Sequence, residues 1–127
     1  YKTSPGLIAR INELENPDLI RKGQKLQVLQ GPFRILINKG SKQLTVYKNE
    51  TSLRTYSIAT GKSDSTPEGS FKVRKKLIKP VWTDPYNRIV VSPDDPDYPL
   101  GSRWIEFAEN GYGIHGTNNP DSIGKEA

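Results

Sequence analysis

The sequence predicts a mainly β fold, a sandwich or mixed sheets with small helices, preceded by a partial α/β module. Ten prolines and eleven glycines among 127 residues imply many turns and short elements. From Phe33 onward, apolar residues recur with the period of two that is typical of strands. Before Gly31 the apolar spacing is that of a helix. We therefore divide the chain into residues 1–31 and residues 32–127.

The first element of the N-terminal region is predicted to be a short helix. Ser4 suits the N-cap position, and Pro5 suits the first helical position, where its missing amide would be unpaired anyway. The apolar positions at i, i+1, i+4 and i+7 that form one helical face are Leu7, Ile8, Ile11 and Leu14.

The rest of this region carries a second cap signal and a strand signal. Asn16 followed by Pro17 repeats the pattern of a cap and a proline. Gly23 predicts a turn, and the alternation of Leu26 and Val28 then predicts a short strand. A unit of fewer than about 30 residues cannot bury a core alone, so we expect it to be half of a module.

Alternation predicts a β-meander at the start of the second region. Residues 39–41 and 48–50 are turn signals between its strands. The same-face residues are Phe33, Ile35 and Ile37 in the first strand, Leu44 and Val46 in the second, and Tyr56 and Ile58 in the third.

Further strands are predicted near the C-terminus. Alternation restarts at Phe71 and Val73 in SFKVRKKL. Residues 79–100 hold five prolines and are predicted to be mostly loop. RWIEFAE and GYGIH are the last predicted strands.

Charge and composition narrow the classes of function. The net charge of +5 favours anionic partners. The basic residues of 72–76 alternate with Phe71 and Val73, which is typical of the solvent-exposed face of a strand. No nucleic-acid-binding motif accompanies them, so we predict no nucleic-acid partner. No apolar run approaches the roughly 18 residues of a membrane span. The 127 residues contain no cysteine, which excludes disulfides, zinc–thiolate sites and a thiol nucleophile within them.

Two further motifs are given structural rather than functional interpretations. The acidic residues of 94–97 lack the spacing of a calcium loop and are interpreted as a solvated loop, so no metal site is predicted. Residues 111–116 match G-x-G-x-x-G, but Thr-Asn-Asn-Pro follows and does not open the helix that a dinucleotide site requires.

His115, the only histidine, is the sharpest candidate for chemistry. It lies where a predicted strand meets a loop, and Gly113 and Gly116 on either side leave room for a substrate. Histidine is the usual general base near neutral pH. The alternative, a strand-end histidine that bonds only to a backbone carbonyl, is equally compatible with the residues.

Three motifs carry a resemblance to a known family. TPEGSFKV at 66–73, PLGSRWIEF at 99–107 and GYGIHGTNNPDSIG at 111–124 resemble the L,D-transpeptidase catalytic domain of the YkuD type. The resemblance implies a cysteine nucleophile in a segment of the form S-x-G-C-x-R, which is expected beyond Ala127, and an acyl-enzyme that forms 3→3 crosslinks between peptidoglycan stem peptides.

The resemblance also implies roles for individual residues. His115 would be the general base, and Gly116 and Thr117 would be the two other catalytic residues. Tyr112 and Gly113 would bind substrate, although for both Tyr112 and Trp104 the choice between groove lining and core packing is left open. No cofactor and no metal are implied.

Residues 1–31 resemble the second half of a LysM peptidoglycan-binding repeat, most clearly in NPDLIRKGQKL at 16–26. We therefore expect a chain cut at both ends. The expected partners are the stem peptides and glycan of peptidoglycan. The expected location is the bacterial cell wall outside the cytoplasm, including that of spores, with a role in cell shape and a relation to hydrolases.

Two alternatives are retained. One is a non-catalytic peptidoglycan-binding protein with a transpeptidase-like domain. The other is a basic β domain that binds nucleic acid, which strongly salt-dependent DNA binding would reveal.

Overall fold

The structure, a computed structural model, describes residues 3–16, 18–109 and 111–127. Within these ranges it contains one short α-helix and eight strands in three sheets, which confirms the prediction of a mainly β fold. The elements are α1 (Pro5–Ile11), β1 (Phe33–Asn38), β2 (Gln43–Lys48), β3 (Thr51–Ser57), β4 (Lys75–Ile78), β5 (Trp82–Thr83), β6 (Val90–Val91), β7 (Arg103–Glu106) and β8 (Gly113–His115).

The chain forms two compact units. One comprises the described residues up to Leu36 together with Thr45–Thr55. The other comprises Ile37–Leu44 and Tyr56–Ala127. The division into a LysM-like region at 1–31 and a catalytic region at 32–127 stays a prediction.

Strands β1, β2 and β3 are neighbours in chain order, as expected for the predicted meander. Ile35 and Ile37 are less exposed than the residues beside them, and Leu44 in β2 is buried, as the predicted alternation requires, whereas Phe33, predicted for the same face as the two isoleucines, is exposed. The turn before β3 places Asn49 at φ +52°, a conformation that asparagine tolerates better than most residues.

The second sheet has the order β4–β7–β8, so β7 is its central strand. The prediction that strand structure begins at Phe71 is wrong, because pairing with β7 begins only where Arg74 N donates to Glu106 O at 2.7 Å. The ring of Phe71 instead packs edge-on against Phe107, with 5.5 Å between the centroids.

Residues 79–100 are mostly loop, as predicted, but they include a small hairpin. Trp82 pairs with Val91, and Thr83 pairs with Val90. Tyr98, close to the end of this stretch, is buried and donates its phenol hydrogen to the carbonyl of Pro80. Burial raises the pKa of the Tyr98 phenol above its ordinary value.

The predicted N-terminal helix is confirmed, although it ends at Ile11 and does not include Leu14. It begins at Pro5, and Ser4 Oγ accepts a hydrogen bond from Leu7 N at 3.2 Å. The Asn16 side chain accepts from Asp18 N at 3.0 Å and closes a turn rather than a second helix. Pro17, the other half of that signal, lies outside the described residues.

The predicted strand after Gly23 is absent from the described part of the chain, although Gly23 does turn at φ +83°. Asn12 explains the difference. Its Nδ2 donates to Gln27 O at 2.8 Å, and its Oδ1 accepts from Gln27 N at 2.7 Å. One side chain therefore occupies both backbone groups that a strand partner would use.

The buried side chains among the described residues belong to the larger unit. Leu100 is the most enclosed, with 3% of its surface exposed. The others are Leu44, Thr60, Tyr98 and Ala108. So small a core agrees with a hydrophobic content of only 33%.

Candidate active site around His115

His115 is the last residue of β8 and belongs to a row that crosses the second sheet. Trp104 of β7 lies directly opposite it, and Leu77 of β4 lies opposite Trp104. Directly paired residues of neighbouring strands project from the same face of a sheet. Leu77, Trp104 and His115 therefore share one face, with the histidine at its edge.

Two contacts orient the imidazole of His115. Its Nδ1 lies 2.7 Å from the carbonyl oxygen of Gly116. Its ring stacks on the indole of Trp104, with 5.4 Å between the centroids and 11° between the planes. A carbonyl oxygen only accepts hydrogen bonds, so Nδ1 carries the hydrogen and Nε2 is the basic nitrogen of the neutral ring. The side chain is exposed, so Nε2 can receive a proton.

The peptide after His115 is supported from the opposite side by residues 100 and 101. Gly116 N donates to Leu100 O at 2.9 Å. A Cβ added to Gly101 would lie 3.0 Å from Gly116 Cα, and Gly101 itself has φ +64°. Both glycines are therefore needed for this close approach of two backbones.

Gly113 lies beneath the indole of Trp104. A Cβ at this position would approach two atoms of that indole to 2.4 Å. The space beside Gly113 is thus filled by Trp104, and the indole reaches across to His115 only because residue 113 has no side chain.

Thr117 stabilises the loop that follows the histidine. Its Oγ1 accepts from Asn119 N at 2.9 Å and donates to Asn119 O at 3.2 Å. The next residue, Asn118, donates from Nδ2 to Asp97 O at 2.9 Å. This loop is therefore fixed by side-chain bonds within itself and to the segment that precedes Tyr98.

Tyr112 lies before β8 begins, at the end of that strand away from His115. It lines an open groove together with Pro67, Ser70, Phe71, Lys72, Arg74, Phe107, Ala108 and Glu109. Three of the nine residues that line this groove are aromatic. Of the five residues predicted for the site, His115, Gly116 and Thr117 are consecutive at one end of β8, while Tyr112 is at the other.

The residues after this loop pair with the chain beyond β3. Thr60 N donates to Lys125 O at 3.0 Å, and Ala127 N donates to Thr60 O at 2.8 Å, which forms a parallel bridge. Lys42 Nζ donates to the hydroxyl of buried Thr60 at 2.9 Å. The loop that begins at His115 thus ends on a defined strand-like segment, which the sequence pattern did not reveal.

Within the described ranges, no three histidine, cysteine or acidic residues converge as metal ligands. The carboxylate of Asp95 accepts from Asp97 N at 2.9 Å and so takes part in the turn of its own loop. No helix in the part of the chain that the structure describes is long and apolar enough to cross a bilayer.

Comparison with known proteins identifies the class. The YkuD family model, described as the L,D-transpeptidase catalytic domain, matches residues 32–127. The chain therefore belongs to the YkuD family of L,D-transpeptidase catalytic domains.

Three curated relatives agree with this membership. "Putative L,D-transpeptidase YqjB" of Bacillus subtilis strain 168 is 41% identical over 103 residues, covering 76% of this chain and 56% of its own length. "Putative L,D-transpeptidase YkuD" of Bacillus licheniformis is 33% identical over 125 residues, covering 98% and 59%. The protein of the same name from Bacillus subtilis strain 168 is 37% identical over 95 residues, covering 74% and 48%. The matches thus span about half of these relatives' lengths.

A solved structure shares the fold. It is described as a probable carnitine operon oxidoreductase CaiA from Brucella melitensis, with a TM-score of 0.59 and 24% sequence identity. The similarity covers 84% of this chain and 78% of that one. At this identity the likeness concerns the fold and not the activity.

Sequence reasoning found His115 but missed two of the groups around it. The sequence marks Gly101 only as part of the motif PLGSRWIEF, and its close approach to Gly116 has no local sequence pattern. The sequence does not decide whether Trp104 lines a groove or packs in the core, and the structure places its indole against the His115 ring.

Proposed function

We propose that the full-length protein is a peptidoglycan L,D-transpeptidase in which His115 is the general base of a cysteine acyl transfer. The hydrogen bond between Nδ1 and Gly116 O carries this proposal, because it leaves the basic Nε2 on an exposed ring. Family membership over residues 32–127 supports the class of reaction.

The reaction follows from these roles. Nε2 accepts the thiol proton, and the thiolate attacks the carbonyl carbon of the third residue of a tetrapeptide stem. The C–N bond to the terminal D-alanine breaks, and this amine leaves with the proton returned by the imidazolium. The amine of a neighbouring stem then attacks the thioester, loses its proton to Nε2, and releases the thiol as a 3→3 crosslink forms.

The remaining predicted residues receive distinct roles. The Gly116 carbonyl orients the base, and Thr117 holds the loop that follows it. The groove at Tyr112 would receive the stem peptide or glycan away from the reacting bond, with Lys72 and Arg74 near carboxylates of the substrate. Gly113 acts by admitting Trp104.

The nucleophile itself is proposed to be a cysteine outside the 127 residues, which contain none. The matches cover 56% and 59% of the length of two curated relatives, so those relatives contain residues outside the matched region. The LysM-like character of residues 1–31 is likewise proposed to bind glycan, and peptidoglycan as substrate implies a location outside the cytoplasm.

The experiment is a crosslinking assay of the full-length protein with purified disaccharide-tetrapeptides, read by mass spectrometry of 3→3 dimers. His115→Gln keeps a polar side chain of similar length but removes the basic nitrogen. We expect kcat/KM to fall by roughly 10²- to 10⁴-fold, while Asp94→Asn, in the acidic loop, leaves it unchanged. Dimer formation at the wild-type rate by His115→Gln would contradict the assignment.

The non-catalytic alternative predicts another outcome. A protein that only holds the wall would sediment with peptidoglycan sacculi and form no dimers with any stem peptide. The observation that favours this alternative is the absence of cysteine from the 127 residues.

A further inference from the structure

We propose that Trp104 is a positioning residue for His115, an inference that rests on the proposed function. Gly113 makes this contact possible because it has no side chain to obstruct the indole. The indole and the imidazole stack at 5.4 Å with planes 11° apart. They project from paired positions of β7 and β8. The contact between the two rings is therefore set by the register of β7 and β8 and not by a loop.

The hydrogen bond from Nδ1 cannot alone fix the ring. The torsion about the Cβ–Cγ bond of histidine is broad, so a single bond to Gly116 O permits the plane to rock and Nε2 to swing. The flat face of the indole removes this freedom and covers one side of the imidazole. A nucleophile and its substrate must then approach Nε2 from the uncovered side and edge.

Gly113 determines whether the indole can lie there. In the register of the sheet, Trp104 faces His115, and Gly113 lies two residues before His115 on β8, hence on the same face. The indole leans over Gly113, and an added Cβ would meet ring atoms at 2.4, 2.4 and 2.8 Å. Such contacts cannot be relieved by rotating a flexible chain end, because the obstructing atoms belong to a rigid bicyclic ring.

The stack also suits the step in which the base acts. When Nε2 takes the proton, the ring becomes an imidazolium cation, and the face of an indole attracts cations more strongly than neutral rings. The benefit of Trp104 is therefore greatest after proton transfer, so its loss lowers kcat more than it raises KM.

A spectroscopic test needs no enzymatic activity. Its signals can be assigned because the 127 residues contain one histidine and two tryptophans. In Trp82→Phe, the emission of the remaining indole is expected to fall as His115 is protonated. Adding His115→Gln is expected to abolish this pH dependence. In NMR spectra, the His115 ring protons are expected upfield from the indole ring current, and Trp104→Leu is expected to move them downfield.

Controls separate positioning from folding. Trp104→Phe keeps an aromatic face and is expected to retain part of the upfield shift, whereas Gly113→Ala is expected to lose it by displacing the indole. The proposal is overturned if indole emission ignores His115 protonation in Trp82→Phe, or if a folded Trp104→Leu leaves the ring-proton shifts unchanged. Should Trp104→Leu fail to fold, the emission of Trp82→Phe still decides.

Kinetics of the full-length protein complete the test. Trp104→Leu is expected to lower kcat by roughly ten- to a hundredfold with little change in KM, and Trp104→Phe to restore part of the loss. Wild-type protein without any transpeptidation would refute the proposed function, while the spectroscopy would still decide the stack. A rise of KM at constant kcat in Trp104→Leu would overturn the positioning role of Trp104 but not the proposed function.

Discussion

The backbones of Gly101 and Gly116 meet with no side chain between them. A Cβ on Gly101 would lie 3.0 Å from Gly116 Cα, and a Cβ on Gly116 would lie 3.2 Å from Gly101 Cα. This contact lies between Leu100, the most buried residue of the described chain, and the carbonyl that orients His115. The position of the His115 ring therefore depends on the packing of the backbone at residues 100 and 101.

Gly101→Ala should destabilise the protein by about 1–3 kcal/mol, since it combines a positive φ with crowding of the Gly116 backbone. Gly124→Ala is the matched control, because Gly124 has φ +87° but its Cβ would meet no atom of the described chain within 4 Å. Urea unfolding of both variants separates the two effects. Equal losses would show that crowding against Gly116 contributes nothing.

Asn12→Ala should release the backbone of Gln27 in the smaller unit. The two hydrogen bonds between the Asn12 side chain and Gln27 are exposed, so their loss is expected to cost about 1 kcal/mol. Amide hydrogen exchange at Gln27 should become roughly fivefold faster by the same relation. Asn87→Ala, in the larger unit, should leave that amide unaffected, and unchanged exchange in Asn12→Ala would refute the explanation for the missing strand.

Lys39 predicts a pH dependence of stability. Its ammonium lies 2.7 Å from Asp64 and 3.2 Å from Glu68, and it also donates to Thr66 O at 2.8 Å. The hydrogen bond from Lys39 lowers the pKa of Asp64 below its ordinary 3.8, and the bond to Asp64 raises the pKa of Lys39 above its ordinary 10.5.

The sign follows from these directions. The contribution of Asp64 is fully present above pH 3.8 and is lost as the pH falls through its lower native pKa. The contribution of Lys39 is fully present below pH 10.5 and is lost as the pH rises through its higher native pKa. Both carboxylates are exposed, so the effect should shrink as salt is added.

Asp64→Asn should therefore flatten the fall of Tm below pH 3.8. Asparagine tolerates the φ of +57° at this position, so the backbone should not be strained by the change. Asp94→Asn controls for the loss of one negative charge elsewhere. An acid limb of the same steepness in Asp64→Asn and wild type would refute the role given to this ion pair.

The strands that a sequence predicts well are those whose pattern is local. Alternation correctly predicted strands at β1 and β2, and the predicted segments RWIEFAE and GYGIH contain β7 and β8. Alternation failed at residues 71–74 and 24–28, where apolar residues also alternate, because strand structure there depends on a partner. The end of β7 limits pairing in the first case, and the Asn12 side chain replaces a partner in the second.

The same distinction applies to the site. His115 could be selected from composition and its neighbours, since it is the only histidine and stands between glycines. Its contact with Trp104 follows from the register between β7 and β8, and the approach of Gly101 joins residues fifteen apart. Neither contact produces a periodic pattern in the sequence from which it could be predicted.

Tyr112 allows substrate binding to be separated from chemistry. It lines the open groove at the end of β8 away from His115. In the full-length protein, Tyr112→Ala should therefore raise KM for stem peptides several-fold and leave kcat nearly unchanged. A drop in kcat with constant KM would instead place Tyr112 in the catalytic step.

The most direct test of the central claim is the rate at which the full-length protein is alkylated, followed by intact mass. If His115 activates a cysteine, wild-type protein should take up one iodoacetamide adduct rapidly at neutral pH and lose crosslinking activity with it. His115→Gln should form the same adduct much more slowly. Equal rates in the two proteins, or the absence of any alkylatable thiol, would contradict the assignment of His115 as the base of a cysteine acyl transfer.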